Sequence, residues 1–335
     1  MTVITSLSPY SEEQVKRFAG TVDVEVRLVP DPPDPSAVRA AIVGADVIIG
    51  DIRAKHRLGR DELALVGPCR LIQQPAVGFD SIDADAAAEF GIPVANAGGY
   101  NSDSVADWVL MAILNLLRNG SARDRSMHAG EWSRQFERAH ELSAVTVGIV
   151  GAGNIGRAVA RRLNGFGSTV LYYDPVVSAA LPGAASVSLD ELFSRSDVVT
   201  VHAPLAAGTW HLVNAERLAQ LRPGSLIVNA SRGPLVDEAA LIEALRSGHL
   251  GGAALDVFET EPLPAGSPLR SLDNVFVTPH IAGDSIESRL RLIDVVTDNI
   301  QRVLAGQPPE HVVNRTQLNT RTEGRSSDAT RTLAN

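Results

Sequence analysis

The apolar run Val147 to Val150 enters Gly151-Ala152-Gly153-Asn154-Ile155-Gly156 and leaves as Arg157-Ala158-Val159-Ala160-Arg161-Arg162-Leu163. A buried strand, a glycine turn and a helix in immediate succession restrict this part of the chain to a parallel α/β unit of the dinucleotide-binding kind. Gly151 permits the tight turn, Gly153 lets a pyrophosphate approach the backbone, and Gly156 lets helix and strand pack closely, while the amides of Asn154 and Ile155 open the helix toward the phosphates. About twenty residues later Val170-Leu171-Tyr172-Tyr173-Asp174 gives a second strand ending in an acid, the place where a carboxylate takes the adenosine ribose hydroxyls. A 2′-phosphate there would meet a like charge with no neighbouring arginine in view, so Asp174 points to NAD over NADP. The plainer reading is a tight βα turn with a solvated acid at a strand end.

The rest of the chain reads as two alternating series. Val22 to Val29, Pro35 to Val43, Asp46 to Gly50, Asp61 to Val66 and Arg70 to Gln73 alternate strand-like and helix-like character, the mark of a mostly parallel sheet. Ser102 to Arg118 predicts a helix, with Val105, Trp108, Val109, Ala112, Ile113 and Leu116 on helical spacing, Asn101 or Ser102 as N-cap and Asn119-Gly120 as the stop. A polar stretch, Ser121 to Leu142, precedes the second series, which runs to about Ala282; Leu290 to Leu304 predicts a further amphipathic helix. The fold class expected is α/β, a Rossmann NAD-binding domain (101–284) inserted into a discontinuous flavodoxin-like substrate domain (1–100 and 285–314). Residues 315–335 are nearly free of large apolar groups and read as a disordered tail. The 335 residues suit two domains. A net charge of -9 opposes a nucleic-acid partner. One cysteine, Cys69, leaves no intramolecular disulfide or multi-cysteine metal site and reads as a packed small residue in a protein of the reducing cytoplasm. No export signal is expected at Met1 to Tyr10, no apolar stretch reaches the length of a membrane span, and no metal site is expected.

From about Pro75 to Gly283 the chain resembles the NAD-dependent D-2-hydroxyacid dehydrogenases. The stretches that carry the resemblance are Val77-Gly78-Phe79-Asp80-Ser81-Ile82-Asp83, Gly91-Ile92-Pro93-Val94-Ala95-Asn96, Ser104-Val105-Ala106-Asp107, Gly130-Glu131-Trp132, His202-Ala203-Pro204-Leu205, Asn229 to Glu238, Leu255 to Pro262 and Pro279-His280-Ile281-Ala282-Gly283. The resemblance makes Arg232, Glu261 and His280 the catalytic trio. The same three suit the chemistry on their own terms. A hydride arriving at C2 of a 2-oxo acid leaves an alkoxide to be protonated, and histidine is the side chain that titrates nearest neutrality. An adjacent carboxylate, Glu261, would orient the His280 ring and favour its protonated form. Arg232 offers a planar fork for the substrate carboxylate and fixed charge for the oxyanion. Each residue alone has a bland reading: a structural histidine, a turn-capping arginine, a solvated loop acid. The resemblance further implies that Val77, Gly78 and Asn101 bind substrate, that Ala203, Pro204, Ala230, Ser231, Arg232, Asp256, His280 and Gly283 line the cofactor, and that His202 lies near it. Asp256 is the expected carboxamide contact, or else an acid satisfied at a strand end. His56, His128, His140, His211, His249 and His311 lack comparable company in the sequence and read as surface or packing residues.

Two departures from the family pattern, Asp107 for a glutamate and Gln73-Gln74-Pro75-Ala76 for a more glycine-rich loop, touch packing and remove no catalytic group. Arg53, Lys55 and Arg57 follow a strand, where α/β ligands bind, and phosphoglycerate dehydrogenases carry a similar arginine. They suit a doubly anionic substrate (phosphorylated, phosphonylated or dicarboxylic), or form a solvated charge run. The Ser102 to Arg118 helix carries more apolar surface than one core face needs, and a homodimer is expected. Two alternatives stay open at this point: an NAD-sensing corepressor-like binding protein, and a dehydrogenase of another small anion such as phosphite.

Overall fold

The computed structural model describes residues 1–30, 34–132, 139–177 and 179–318. The chain divides into two units, Asn101–Ser285 and a second built from Met1–Tyr100 with the segment from Ile286 onward.

The discontinuous unit holds five parallel strands, β1 (Thr2–Ser6), β2 (Val24–Leu28), β3 (Val47–Ile49), β4 (Leu71–Gln73) and β5 (Val94–Ala95), in the order β2-β1-β3-β4-β5. That is the flavodoxin-like order. β1 pairs with both β2 and β3, yet the alternating series legible in the sequence begins only at Val22. Helices Pro35–Ile42 and Arg60–Val66 start on or next to the expected residues, the first under an Asp34 side chain that accepts from Ser36 N. Helix Ile286–Leu304 packs Leu292, Val296, Ile300 and Val303 with Ile4, Val47, Ile49 and Leu71. The opposite face packs Val3, Ile48 and Ile72 with Val38, Ile42, Leu63 and Val66. Alternate residues of each strand thus enter opposite cores, as a sheet covered on both faces requires. Residues 315–318 form one helical turn, and Gln317 donates to Asp85; the rest of the expected tail lies outside the described residues.

The second unit holds seven parallel strands, β6 (Thr146–Val150), β7 (Thr169–Tyr173), β8 (Ala184–Ser186), β9 (Val198–Val201), β10 (Ser225–Asn229), β11 (Leu250–Leu255) and β12 (Val275–Val277), in the order β12-β11-β10-β9-β6-β7-β8. Strand order reverses between β6 and β9, so the crevice beyond their carboxyl ends is the ligand-binding switch point of a Rossmann sheet. Again the faces alternate: Val147, Ile149, Val198, Val228 and Ala254 pack with helices Ser102–Arg118 and Asn154–Gly165, while Val150, Val199, Val201, Ile227 and Leu255 enter the opposite core.

The helix Ser102–Arg118 has its expected ends, with Asn119 in the left-handed region at φ 52°. The segment after Asn119 differs from expectation. A helix, Gly120–His128, starts at once and runs into the stretch that reads as polar, because Asn115 Oδ1 accepts from both Ser121 N and Ser121 Oγ and re-nucleates the turn. None of its residues is buried, so no apolar periodicity marks it.

Candidate active site

Within the second unit, successive strands deliver the predicted residues at one end of the sheet. Gly151 follows β6, Asp174 follows β7, His202 and Ala203 follow β9, Ala230 to Arg232 follow β10, Asp256 follows β11, and His280 lies three residues beyond β12.

The glycine turn divides into two structural positions and one open one. Gly151 has φ 99°, and a Cβ there would stand 2.6 Å from the His202 carbonyl oxygen. A Cβ on Gly156 would collide with the Gly151 carbonyl oxygen. A Cβ on Gly153 meets nothing within 4 Å among the described residues, so the protein itself does not require that glycine. Space left open at the N-terminus of helix Asn154–Gly165, whose first turn carries no acid, fits a pyrophosphate. Beside it His202 is buried, its Nε2 2.9 Å from Thr200 Oγ1, while Nδ1 has no partner among the described residues. Burial pushes the His202 imidazole down to about 3, so the ring is neutral. The His202 ring is thus a neutral, buried group whose backbone carbonyl abuts the glycine turn.

Asp174 is already engaged: Oδ2 accepts from Ala152 N at 2.7 Å, and Oδ1 from Val176 N and Val177 N, each at 2.8 Å. Partial burial works against its charge, but the amides of Val177, Ala152 and Val176 and the nearby Arg157 outweigh it and hold the carboxyl below its usual range. Two points correct the sequence reading. An arginine does stand close enough to act on Asp174, namely Arg157, and the acid ties the glycine loop to the end of β7.

The loop after β10 is built by Asn229, whose Nδ2 donates to Arg232 O at 2.9 Å and whose Oδ1 accepts from Ser231 N at 3.1 Å; Ser231 Oγ in turn donates to Val201 O. Gly233 brings this loop hard against the backbone of Phe258 and Glu259, where any Cβ would collide. Arg232 is thereby carried close enough to Glu261 to act on its charge. Glu261 Oε2 lies 2.8 Å from His280 Nδ1, and Oε1 accepts from Phe258 N at 3.1 Å. Burial opposes ionisation of Glu261, yet the bond from His280, the Phe258 amide and the Arg232 charge together hold its carboxyl below the usual range. With Nδ1 committed to Glu261, the other ring nitrogen, Nε2, is the one left to exchange a proton with a ligand. His280 is half-exposed, as such a role requires.

His280 itself has φ 56°, a conformation that non-glycine residues adopt only when neighbours impose it. Asp256 imposes it. Its buried carboxylate accepts from Thr278 Oγ1 and Ile281 N through Oδ1, and from Ala282 N through Oδ2 at 2.7 Å, while His280 N donates to Asp256 O at 2.8 Å. Of the two sequence readings of Asp256, the satisfied strand-end acid is the one these bonds describe, with the added consequence that it shapes the histidine loop. Thr278 and Phe258 have functions here that no sequence signal marks. Gly283 packs on Asn101, whose Oδ1 is buried without a partner among the described residues.

His211 departs from its sequence reading. It has acidic company after all: its Nε2 lies 2.8 Å from Glu259 Oε1, Asp237 approaches Nδ1 at 3.9 Å, and the ring stacks on Trp210. The histidine and its two acids each place a ligand-type atom within 4.8 Å of the others.

In the other unit the basic loop is not uniform. Lys55 and Arg57 are exposed, whereas Arg53 is turned toward the fully buried Asp51, with Nε 3.5 Å from Oδ1. Asp51 also accepts from the amides of Arg53, Lys55 and His56, so a single carboxylate organises the loop. The departures at Gln73 and Gln74 are structural: Asn299 donates to Gln73 Oε1 at 2.7 Å, and Gln74 donates to Asp51 O.

A Rossmann sheet with an open phosphate cradle and a histidine–carboxylate pair at one end of the sheet is the arrangement of a nicotinamide-dinucleotide-binding protein. Residues 110–282 match the family described as D-isomer specific 2-hydroxyacid dehydrogenase, NAD binding domain. A glyoxylate reductase from Thermofilum pendens is 40% identical over 260 residues, covering 75% of this chain and 77% of the relative. An (S)-sulfolactate dehydrogenase from Chromohalobacter salexigens is 42% identical over 265 residues, covering 78% and 86%. Among solved structures, an NAD-dependent formate dehydrogenase from Staphylococcus aureus in complex with NAD superposes with a TM-score of 0.80 at 33% identity, covering 92% of this chain and 97% of that one. The chain belongs to the D-isomer-specific 2-hydroxyacid dehydrogenase family. It is an NAD-dependent oxidoreductase of small acids.

Proposed function

We propose that the protein interconverts a small 2-oxo acid and its D-2-hydroxy acid, with His280 as proton donor and acceptor, Glu261 as its partner and Arg232 binding the substrate carboxylate and oxyanion. The observation that carries this reading is the 2.8 Å His280–Glu261 pair on a loop whose conformation a buried aspartate enforces. NAD supplies the hydride acceptor or donor at C2. In reduction, His280 delivers a proton from Nε2 to the oxygen at C2; in oxidation the neutral ring takes it back. Glu261 stays ionised throughout and fixes the ring and its tautomer. Arg232, beside this pair, stabilises the oxygen as charge builds on it. The cofactor is held by Gly151, Gly153, Asn154, Ile155, Gly156 and Asp174, with Ala203, Pro204, Ala230, Ser231 and Gly283 along it; Val77, Gly78 and Asn101 bind the substrate.

The favoured substrate is doubly anionic. Arg53, half-buried against Asp51 where its exposed neighbours Lys55 and Arg57 are solvated, supports this, and one of the relatives is named for sulfolactate. NADH oxidation measured across glyoxylate, hydroxypyruvate, pyruvate, sulfopyruvate, phosphohydroxypyruvate and phosphonopyruvate tests both parts. Turnover of none of them sinks the reaction. An Arg53→Ala variant should lose activity selectively on the anionic-tailed members; equal loss on all, or on none, removes Arg53 from the substrate site.

We further propose a homodimer formed along helix Ser102–Arg118, supported by the exposure of Met111, Met127 and Trp132 in and after it. A monomer mass by light scattering refutes that. No helix among the described residues is long and apolar enough to cross a membrane. A cytoplasmic location is proposed on the single buried cysteine, and fractionation checks it.

A further inference from the structure

The turn Pro75 to Phe79 follows β4, and its peptide planes are oriented from outside the turn. Ala76 O accepts from Ala97 N at 2.9 Å, and Val77 O accepts from Asn96 Nδ2 at 2.7 Å. A trans peptide sets its N–H opposite its C=O. Pinning these two consecutive carbonyls therefore turns the next two amides, Val77 N–H and Gly78 N–H, away from residues 96 and 97. Neither amide donates to any atom of the described residues. Two adjacent amides without partners form a small anion-binding concavity, and a carboxylate has two oxygens to fill it.

The pins are not equivalent. Ala97 N is backbone and cannot be altered by substitution, but the Val77–Gly78 plane is held by one side chain. Asn96 is well placed to hold it, because its own backbone is braced. Asn96 N donates to His311 O at 3.2 Å, Ala95 bridges Val312, Gln74 N donates to Ala95 O, and Val313 N donates to Val94 O. Since Val77 O only accepts, the amide nitrogen of Asn96 is the atom that must face it.

We infer that Asn96 is a positioning residue that sets the Val77–Gly78 peptide so that the Gly78 amide faces the substrate carboxylate. This rests on the reading that Val77 and Gly78 bind that carboxylate. Asn96→Asp is the sharpest perturbation: it preserves shape but removes the donor, repels the Val77 carbonyl and offers an acceptor that would draw the Gly78 N–H back to itself. Asn96→Ala removes the donor without the repulsion.

The experiment measures KM and kcat for the best 2-oxo acid found in the panel, competitive inhibition by oxamate, NADH affinity by fluorescence, and the melting temperature, for wild type and both variants. A hydrogen bond to a charged group predicts a rise of about 10- to 100-fold in KM and in the oxamate inhibition constant, larger for Asn96→Asp than for Asn96→Ala. NADH affinity and kcat should change much less. A merely structural role would lower the melting temperature and the active fraction while leaving KM and oxamate inhibition alone, and that pattern overturns the proposal. If either variant fails to fold, the other decides. Wild type that turns over 2-oxo acids but is indifferent to oxamate, with both variants unchanged in KM, overturns the Asn96 proposal together with the role of Val77 and Gly78. Variants unchanged against an oxamate-sensitive wild type overturn the Asn96 proposal alone.

Discussion

Replacing Asp256 by asparagine should test whether a buried carboxylate holds the histidine loop. The carboxylate serves three donors: Thr278 Oγ1 and Ile281 N at one oxygen, Ala282 N at the other. An asparagine can keep its oxygen on the first pair, but its nitrogen then faces the Ala282 N–H, donor against donor, at a residue only 4% exposed. Loss of one bond to a charged group, with a buried amide left unsatisfied, costs about 3 kcal/mol. Two routes are open for that energy. If the loop stays closed, the whole molecule loses it, and the melting temperature falls by roughly 6–12 °C for a domain of this size. If the loop opens locally, His280 leaves its left-handed conformation; at about 1.4 kcal/mol per decade, the competent population drops by up to about 100-fold and kcat falls with it. Steady-state kinetics at saturating NADH, NADH titration and thermal denaturation distinguish these. Unchanged kcat together with an unchanged melting temperature would refute the argument. Unchanged kcat with weakened NADH binding would instead give Asp256 the carboxamide contact.

The glycine turn should respond position by position. Gly156→Ala, driven into the Gly151 carbonyl, should cost about 3 kcal/mol or more, whereas Gly153→Ala should cost less than about 1 kcal/mol and act mainly by weakening NADH binding; equal melting temperatures for the two variants contradict this. Glu261→Gln should lower kcat with little effect on NADH affinity. The pH dependence follows from the depressed carboxyl of Glu261: its ionised, paired form is fully present above the usual carboxylate range and is lost only as pH falls through the lower folded-state value, so the His280 pair should persist into mildly acidic solution. An NMR titration showing Glu261 protonating above the usual range reverses that sign. Burial pushes the Cys69 thiol up to about 12, and it should ignore a thiol reagent at neutral pH until the protein is unfolded; rapid labelling of the native protein excludes this.

Much of the architecture is legible because it lies in local patterns. The β6–glycine–helix unit, the alternation of strand and helix, and the ends of helix Ser102–Arg118 are written in consecutive residues. β1 escapes because five residues near a terminus carry too little periodicity, and helix Gly120–His128 because it has no buried face. The candidate catalytic trio is legible through its flanking motifs, but what holds it is not. Asp256 reaches residues 25 and 26 positions away, Asp174 reaches back 22 to Ala152, and Asn96 reaches back 19 to Val77. Each of these is a polar side chain satisfying a loop backbone laid beside it by the parallel sheet. Spacing alone does not reveal such a bond, because its partner is an amide or carbonyl that nearly every residue possesses. The same cause explains His211, whose acids Asp237 and Glu259 become neighbours only after β10 and β11 pair and their loops meet. In a parallel sheet the side chains that perform chemistry sit at strand ends and can be guessed from local motifs. The groups that orient them come from the adjacent crossover, and they become visible only when strand order is known.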